Sequence, residues 1–334
     1  MTSSKRRYVL GISGLTTLAV FAFCVSLFVG PAAVGLSDLA GFFGSAPSET
    51  GWLIFSEIRL PRAILGFAVG ATLGLSGAAL QGYLRNPLAE PGIIGVTASA
   101  ALFAVIAFYT GLAASFALAL PIGGILGAVA AVMLIQILAG RDSSVLTLIL
   151  AGVAVTSFAG AMTSLALNLS PNPFAAYEVI FWMLGSLADR SFEHVWLAVP
   201  FIAVGWLMLL TLGNALNALT LGEDEAASLG FNLSRIRLRL VLGTALSVGA
   251  ATAVSGAIGF VGLVVPHLLR PLVGHSPKLL LPVSALGGGI LVLSADIIVR
   301  LLPFEREIKL GVLTAMIGAP FFLILLLKHR RNLL

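Results

Sequence analysis

The side chains able to do chemistry in this sequence are few and widely separated. Asp296 stands in Leu293-Ser294-Ala295-Asp296-Ile297-Ile298-Val299-Arg300, so a helix places its carboxylate and the Arg300 guanidinium on one face. A carboxylate within an apolar segment costs about 2.5–3.5 kcal/mol on insertion scales, so it demands either a partner or a function. A structural ion pair and a proton-coupling site are both open readings. The sequence has no His-Glu-x-x-His, no Gly-x-Ser-x-Gly and no Gly-x4-Gly-Lys-Ser/Thr phosphate loop. Its four histidines are scattered at 194, 267, 275 and 329, and Cys24 is the single cysteine. That count leaves no intrachain disulfide and no cysteine-based metal centre. Catalysis, a resident cofactor and a metal site are therefore not expected.

One polar connection, about 213–236, carries a different kind of signal. Glu223, Asp224 and Glu225 favour a helix N-terminus, and Gly230 suits a helix end. Between them Leu219, Ala226 and Leu229 can form an apolar stripe. A short helix of this kind makes a dock for another protein, and an ordinary solvated loop helix fits the same residues.

The elements that position these residues follow from composition. Of the 334 residues, 59% are hydrophobic and 10% charged, with a mean hydropathy of +1.07. A soluble domain is about 45–50% apolar and about 25% charged, so the bilayer is the solvent this chain requires. Disorder, a secreted disulfide scaffold and a soluble enzyme are excluded. Ten apolar runs lie near 8–30, 60–82, 92–111, 116–139, 144–168, 192–212, 237–256, 258–273, 279–302 and 309–327. The first is longer than the 7–15-residue core of a signal peptide and reads as an uncleaved span. The run at 258–273 is short and contains Pro266-His267, which predicts a half-length helix sheltered by protein. Gly66, Gly70, Gly74 and Gly77 predict close helix packing. Phe174, Tyr177 and Trp182 read as interfacial aromatics or as substrate contacts near the outer mouth.

With both termini cytoplasmic, 13 of the 19 Lys and Arg residues face inward and nine of the 14 acidic residues face outward. That bias fixes the orientation. No connection is long enough for a separate soluble domain, so residues 1–334 read as one all-α, polytopic transmembrane unit of ten helices.

Several ordered motifs add a resemblance. They are Arg59-Leu60-Pro61-Arg62, Gln81, Arg85-Asn86-Pro87-Leu88-Ala89-Glu90-Pro91-Gly92, Leu150-Ala151-Gly152 and Trp182-Met183-Leu184-Gly185-Ser186-Leu187. Further along come Leu221-Gly222-Glu223 with Ala226 and Leu229-Gly230, the run Gly259 to Arg270, Ala295-Asp296 with Arg300, and Gly318-Ala319-Pro320-Phe321-Phe322. In this order they resemble the membrane subunits of binding-protein-dependent ABC importers for iron-siderophores, haem and vitamin B12, the FecCD-type permeases.

The resemblance implies the type II importer architecture. It also implies a homodimer in the bacterial inner membrane, two ATP-binding cassette subunits that use ATP and magnesium, and a periplasmic or surface-tethered binding protein; no nucleic acid is involved. By the same resemblance, Leu221, Gly222, Glu223, Ala226, Leu229 and Gly230 couple to the ATPase. Arg59, Arg62 and Arg300 dock the binding protein, and Asn86, Pro87, Pro266 and His267 belong to the cytoplasmic gate region. An ion-coupled secondary transporter or channel is the alternative. The sequence departs from the family at Glu307-Ile308-Lys309-Leu310-Gly311, where the family commonly has Glu-x-Pro-x-Gly.

Overall fold

The computed structural model describes residues 3–30, 49–116, 118–140, 145–170, 173–303 and 307–331, and their regular structure is entirely helical. In hydrocarbon every backbone group needs an internal partner, and a helix supplies one within its own segment. Each of the ten apolar runs accordingly carries a helix. In chain order the helices are α1 (Ser3–Phe28), α2 (Leu60–Leu84), α3 (Val96–Tyr109), α4 (Ala119–Ala139), α5 (Val145–Asn168), α6 (Pro173–Met183) and α7 (Phe192–Leu210). Then follow α8 (Gly213–Leu219), α9 (Glu223–Ser228), α10 (Leu233–Ser255), α11 (Val261–Leu269), α12 (Pro277–Leu301) and α13 (Leu310–Arg331).

Among the described residues, seven helices are long and apolar enough to cross a membrane, and three more apolar helices are shorter: 96–109, 261–273 and 310–325. The fourteen residues of α3 rise about 21 Å, less than the roughly 30 Å of a hydrocarbon core. The run at 92–111 is therefore split. A 3-10 turn at Pro91–Ile94 leads in, and Gly95 at φ +75° starts α3 against Val155 of α5. Helix α11 has nine residues and continues as a 3-10 turn at Arg270–Val273, the irregular half-length element its sequence predicts.

Helix α2 is the axis of the bundle and packs on α12, α11, α10 and α7. Its glycines explain how. A Cβ on Gly70 or Gly74 would collide with the carbonyls of Gly288 or Ser284 on α12, and one on Gly77 with the backbone of Gly262 on α11. Gly66 meets only the side chains of Leu187 and Leu293, at 3.2 Å.

Three features differ from the sequence reading. The helical path into α2 begins ahead of the apolar run at 60–82, at Glu49–Leu53, and passes through a π-helical segment at Ile54–Arg59. Helix α6 joins the bundle although its eleven residues form no span, with Phe174 and Tyr177 exposed. In the 213–236 connection the expected stripe is divided. Leu219 ends α8 and is buried, Ala226 of α9 is fully buried, and Leu221 and Leu229 point outward at 67% and 62% exposure. The turn between two short helices, rather than one continuous helix, sends these residues in opposite directions.

Candidate functional site

At one end of the bundle, the start of α2 and the C-terminal end of α12 bring three charged groups together. The Arg62 Nε donates to both Asp296 carboxylate oxygens at 3.0 and 3.2 Å, and Nη2 donates to Oδ1 at 2.9 Å. Arg300 Nη2 lies 2.9 Å from Asp296 Oδ2, the pairing expected from their four-residue spacing. Asp296 is thus shared by two guanidinium groups, and its side chain is only 2% exposed.

The remaining edge of Arg62 points to Glu307. Its Nη1 and Nη2 donate to the two Glu307 oxygens at 3.2 and 3.0 Å. Glu307 is 36% exposed, so this is the accessible end of the cluster. The Arg62–Glu307 pair borders a cavity of about 760 Å³ lined also by Ile58, Phe181, Leu184 and Lys309. Lys309, the residue that departs from the family pattern, places its Nζ 5.9 Å from the Phe181 ring centre.

Arg59 and Arg300 also meet the end of α1. Arg59 Nη1 donates to the carbonyls of Leu27 and Phe28 at 3.0 and 2.7 Å. Arg300 Nη1 donates to the carbonyls of Ser26 and Val29, and its Nη2 to the Ser26 hydroxyl. These are the carbonyls a helix leaves without partners at its C-terminus, and cations there also complement the helix dipole. The sequence reading put all three arginines on the outer side of the membrane. The structure places them at one end of the bundle but engaged internally, with Arg59 and Arg62 buried.

The opposite end carries the other predicted residues. Gly222, at φ +139°, starts α9, and a Cβ there would strike the Glu225 carboxylate; Gly230, at φ +87°, follows its end. Glu223, Asp224 and Glu225 are exposed in the first turn of α9. Asn86 forms a turn in which its Oδ1 accepts the Leu88 N–H at 2.9 Å, and Pro87 is half-buried within it. Pro266 is buried inside α11, and the His267 ring meets Phe321 edge-on at 5.7 Å. The segments carrying these two motifs are joined by Gln81. Its Nε2 donates to the carbonyls of Ala89 and Gly262 at 3.3 and 3.2 Å, while its Oε1 accepts from Arg270 Nη2 at 2.6 Å. Glu90 accepts the backbone N–H of Phe260, yet burial pushes its carboxyl above the ordinary value. Among the described residues no group of three or more His, Cys, Asp or Glu could hold a metal ion.

A buried charge cluster at one end, an exposed acidic helix at the other and a glycine-packed bundle between them suit a membrane component with a partner on each face. The family model that matches the chain, over residues 18–328, is the FecCD transport family. The chain belongs to the FecCD transport family. The uncharacterized ABC transporter permease protein YvrB of Bacillus subtilis is 39% identical, over 97% of the FecCD chain and 94% of its own length. The hemin transport system permease protein HmuU of Yersinia pestis is 36% identical, over 92% and 94%. A solved structure of a metal-chelate type ABC transporter in an inward-facing conformation superposes with a TM-score of 0.84 at 34% identity, covering 94% of the FecCD chain and 98% of that chain.

Sequence reasoning assigned no role to Gln81, Glu90, Ser26 or Glu307. Gln81 was quoted alone and Glu90 within a motif, and an amide or carboxylate at the edge of an apolar run is a signal that could have marked them. The link from Arg300 to Ser26 crosses 274 positions and has no local signature.

Proposed function

We propose that this FecCD permease carries a large metal chelate, an iron-siderophore, haem or a corrinoid, inward across the bacterial inner membrane. It works as a homodimer with both termini cytoplasmic, and residues 1–334 form one transmembrane unit. ATP and magnesium are used by two partner ATPase subunits, so this chain is not itself an enzyme. The observation that carries the reading is the family match over residues 18–328, supported by structural similarity to a metal-chelate type ABC transporter along nearly the whole chain.

The two ends take different partners. Leu221, Gly222, Glu223, Ala226, Leu229 and Gly230 couple to the ATPase. Exposed Leu221 and Leu229 offer apolar contacts on either side of the acidic turn, while Ala226 seats α9 on the bundle. Asn86, Pro87, Pro266 and His267 shape the inner gate region. Outside, Arg59, Arg62 and Arg300 receive the binding protein. Arg59 and Arg300 hold the platform, and the Arg62 edge now paired with Glu307 presents the fork that matches a carboxylate on the partner.

Reconstitution tests the reading. Permease co-purified with its ATPase subunits and placed in proteoliposomes is expected to import haem or cobalamin only with ATP and binding protein. Inactivation of the ATPase should abolish uptake. Uptake by the permease alone down an ion gradient would establish the ion-coupled alternative instead.

A further inference from the structure

The inner end of α2 presents three consecutive residues to three different parts of the molecule. Gln81, 3% exposed, bonds the turn after α2 through Ala89, the start of α11 through Gly262, and the 3-10 turn after α11 through Arg270. Gly82 lies against Leu216 of α8 and Pro277 at the start of α12. Tyr83 is buried within the electrostatic reach of Glu223 on α9 and Arg237 on α10. One helical turn therefore touches the 213–230 connection on one side and the gate segment on the other. The only polar side chain facing the gate from that turn is Gln81, and it uses both its donor and its acceptor there.

We propose that Gln81 is a positioning residue that locks the inner end of α2 to α11 and its 3-10 turn, so that movement of the 213–230 connection reaches the gate. This rests on the reading of that connection as the ATPase contact. A side-chain amide suits the task because one group can donate to two carbonyls and accept from a guanidinium at once. A hydrocarbon of the same length would leave those carbonyls and Arg270 without these bonds and let α11 slide against α2.

The test follows α11 directly. Leu268, 58% exposed on α11, is replaced by cysteine in a Cys24→Ala background, in the complex of permease and ATPase. Its maleimide labelling rate is measured with and without ATP trapped by vanadate. With Gln81 present, the nucleotide is expected to change the rate about fivefold or more, the lower end of typical coupling between sites. Gln81→Met is expected to reduce that change to less than about twofold while the ATPase still co-purifies and hydrolyses ATP. Arg270→Met, which severs one link and spares the other bonds of Gln81, serves if Gln81→Met fails to assemble. The double variant is expected to lose no more than the worse single, because the two residues act as one unit.

A full nucleotide response in Gln81→Met would overturn the proposal, as would fully additive losses or the absence of any response with Gln81 intact. A fall in melting temperature with the response preserved would also overturn it, since that is what a merely structural residue gives. Variants of Gly222 and Glu223 separate the two readings. If they bind and couple the ATPase normally while Gln81→Met does not respond, the loop assignment falls and the Gln81 assignment stands.

Discussion

Arg62 and Asp296 lie 234 positions apart in the chain and share three hydrogen bonds of 2.9–3.2 Å. The contact ties the start of α2 to the C-terminal end of α12, and further along the same two helices are held backbone to backbone at Gly70–Gly288 and Gly74–Ser284. Charge at the top and glycine below give one helix pair two unlike fasteners, and they fail in different ways.

Asp296→Asn leaves two buried guanidinium groups facing a neutral amide. Breaking a buried pair from one side costs about 3–5 kcal/mol, whereas replacing all partners by apolar groups of like volume is close to neutral. Thermal unfolding in detergent is expected to show a large loss for Asp296→Asn and a smaller one when Arg62→Met is added.

Gly74→Ala forces a methyl group into the Ser284 carbonyl, and Gly66→Ala meets only movable leucine ends. Overpacking of the first kind costs about 1–3 kcal/mol. Gly74→Ala is expected to lower the unfolding free energy by that amount and with it the melting temperature, and Gly66→Ala to change the unfolding free energy by less than about 1 kcal/mol.

Glu307→Gln removes the internal competitor for the outer edge of Arg62. Pairs this exposed are worth about 0.2–1 kcal/mol, so binding-protein affinity is expected to rise by up to about fivefold. Arg62→Ala is expected to weaken docking while basal ATPase activity persists. Surface plasmon resonance on the reconstituted complex reads both.

Glu90 supplies a pH dependence with a definite sign. Its folded carboxyl is raised above the ordinary 4.5 chiefly by burial, outweighing the Phe260 N–H. The folded state therefore holds that proton more tightly than the unfolded chain does. Its contribution is fully present below 4.5 and is lost as pH rises through the higher folded value. Glu90→Gln is expected to flatten the fall in melting temperature over that window, leaving the slope outside it unchanged.

Gly222→Ala places a side chain at φ +139° and against Glu225. The start of α9 must then rebuild. ATPase co-purification is expected to drop sharply while the permease keeps its melting temperature, since Gly222 lies outside the core.

Much of the bundle is legible in the sequence because lipid imposes a simple rule: an apolar run long enough must become a helix. Position along the run is less legible. The 92–111 run gives no warning that Gly95 interrupts it, since the turn is set by contact with α5. Helix α6 escapes notice because eleven residues make no span and Glu178 lies inside it. The pairing of Asp296 with Arg300 is local and readable. That the same carboxylate also binds Arg62 depends on which helices become neighbours, which no spacing records. That Arg59 and Arg300 also cap α1 is likewise not readable, because their acceptors are backbone carbonyls and carbonyls have no letter in a sequence.

The capping of α1 by Arg59 and Arg300 has a consequence for biogenesis. Helix α1 leaves the ribosome well ahead of α12, and one of the groups that complete its C-terminus arrives only with residue 300. Until then the carbonyls of Ser26 and Val29 lack that donor, and Arg62 sits in an apolar helix without Asp296. A chain halted before α12 therefore exposes a charge the bilayer penalises. The charge cluster closes only when the ninth of ten apolar segments takes its place beside the first.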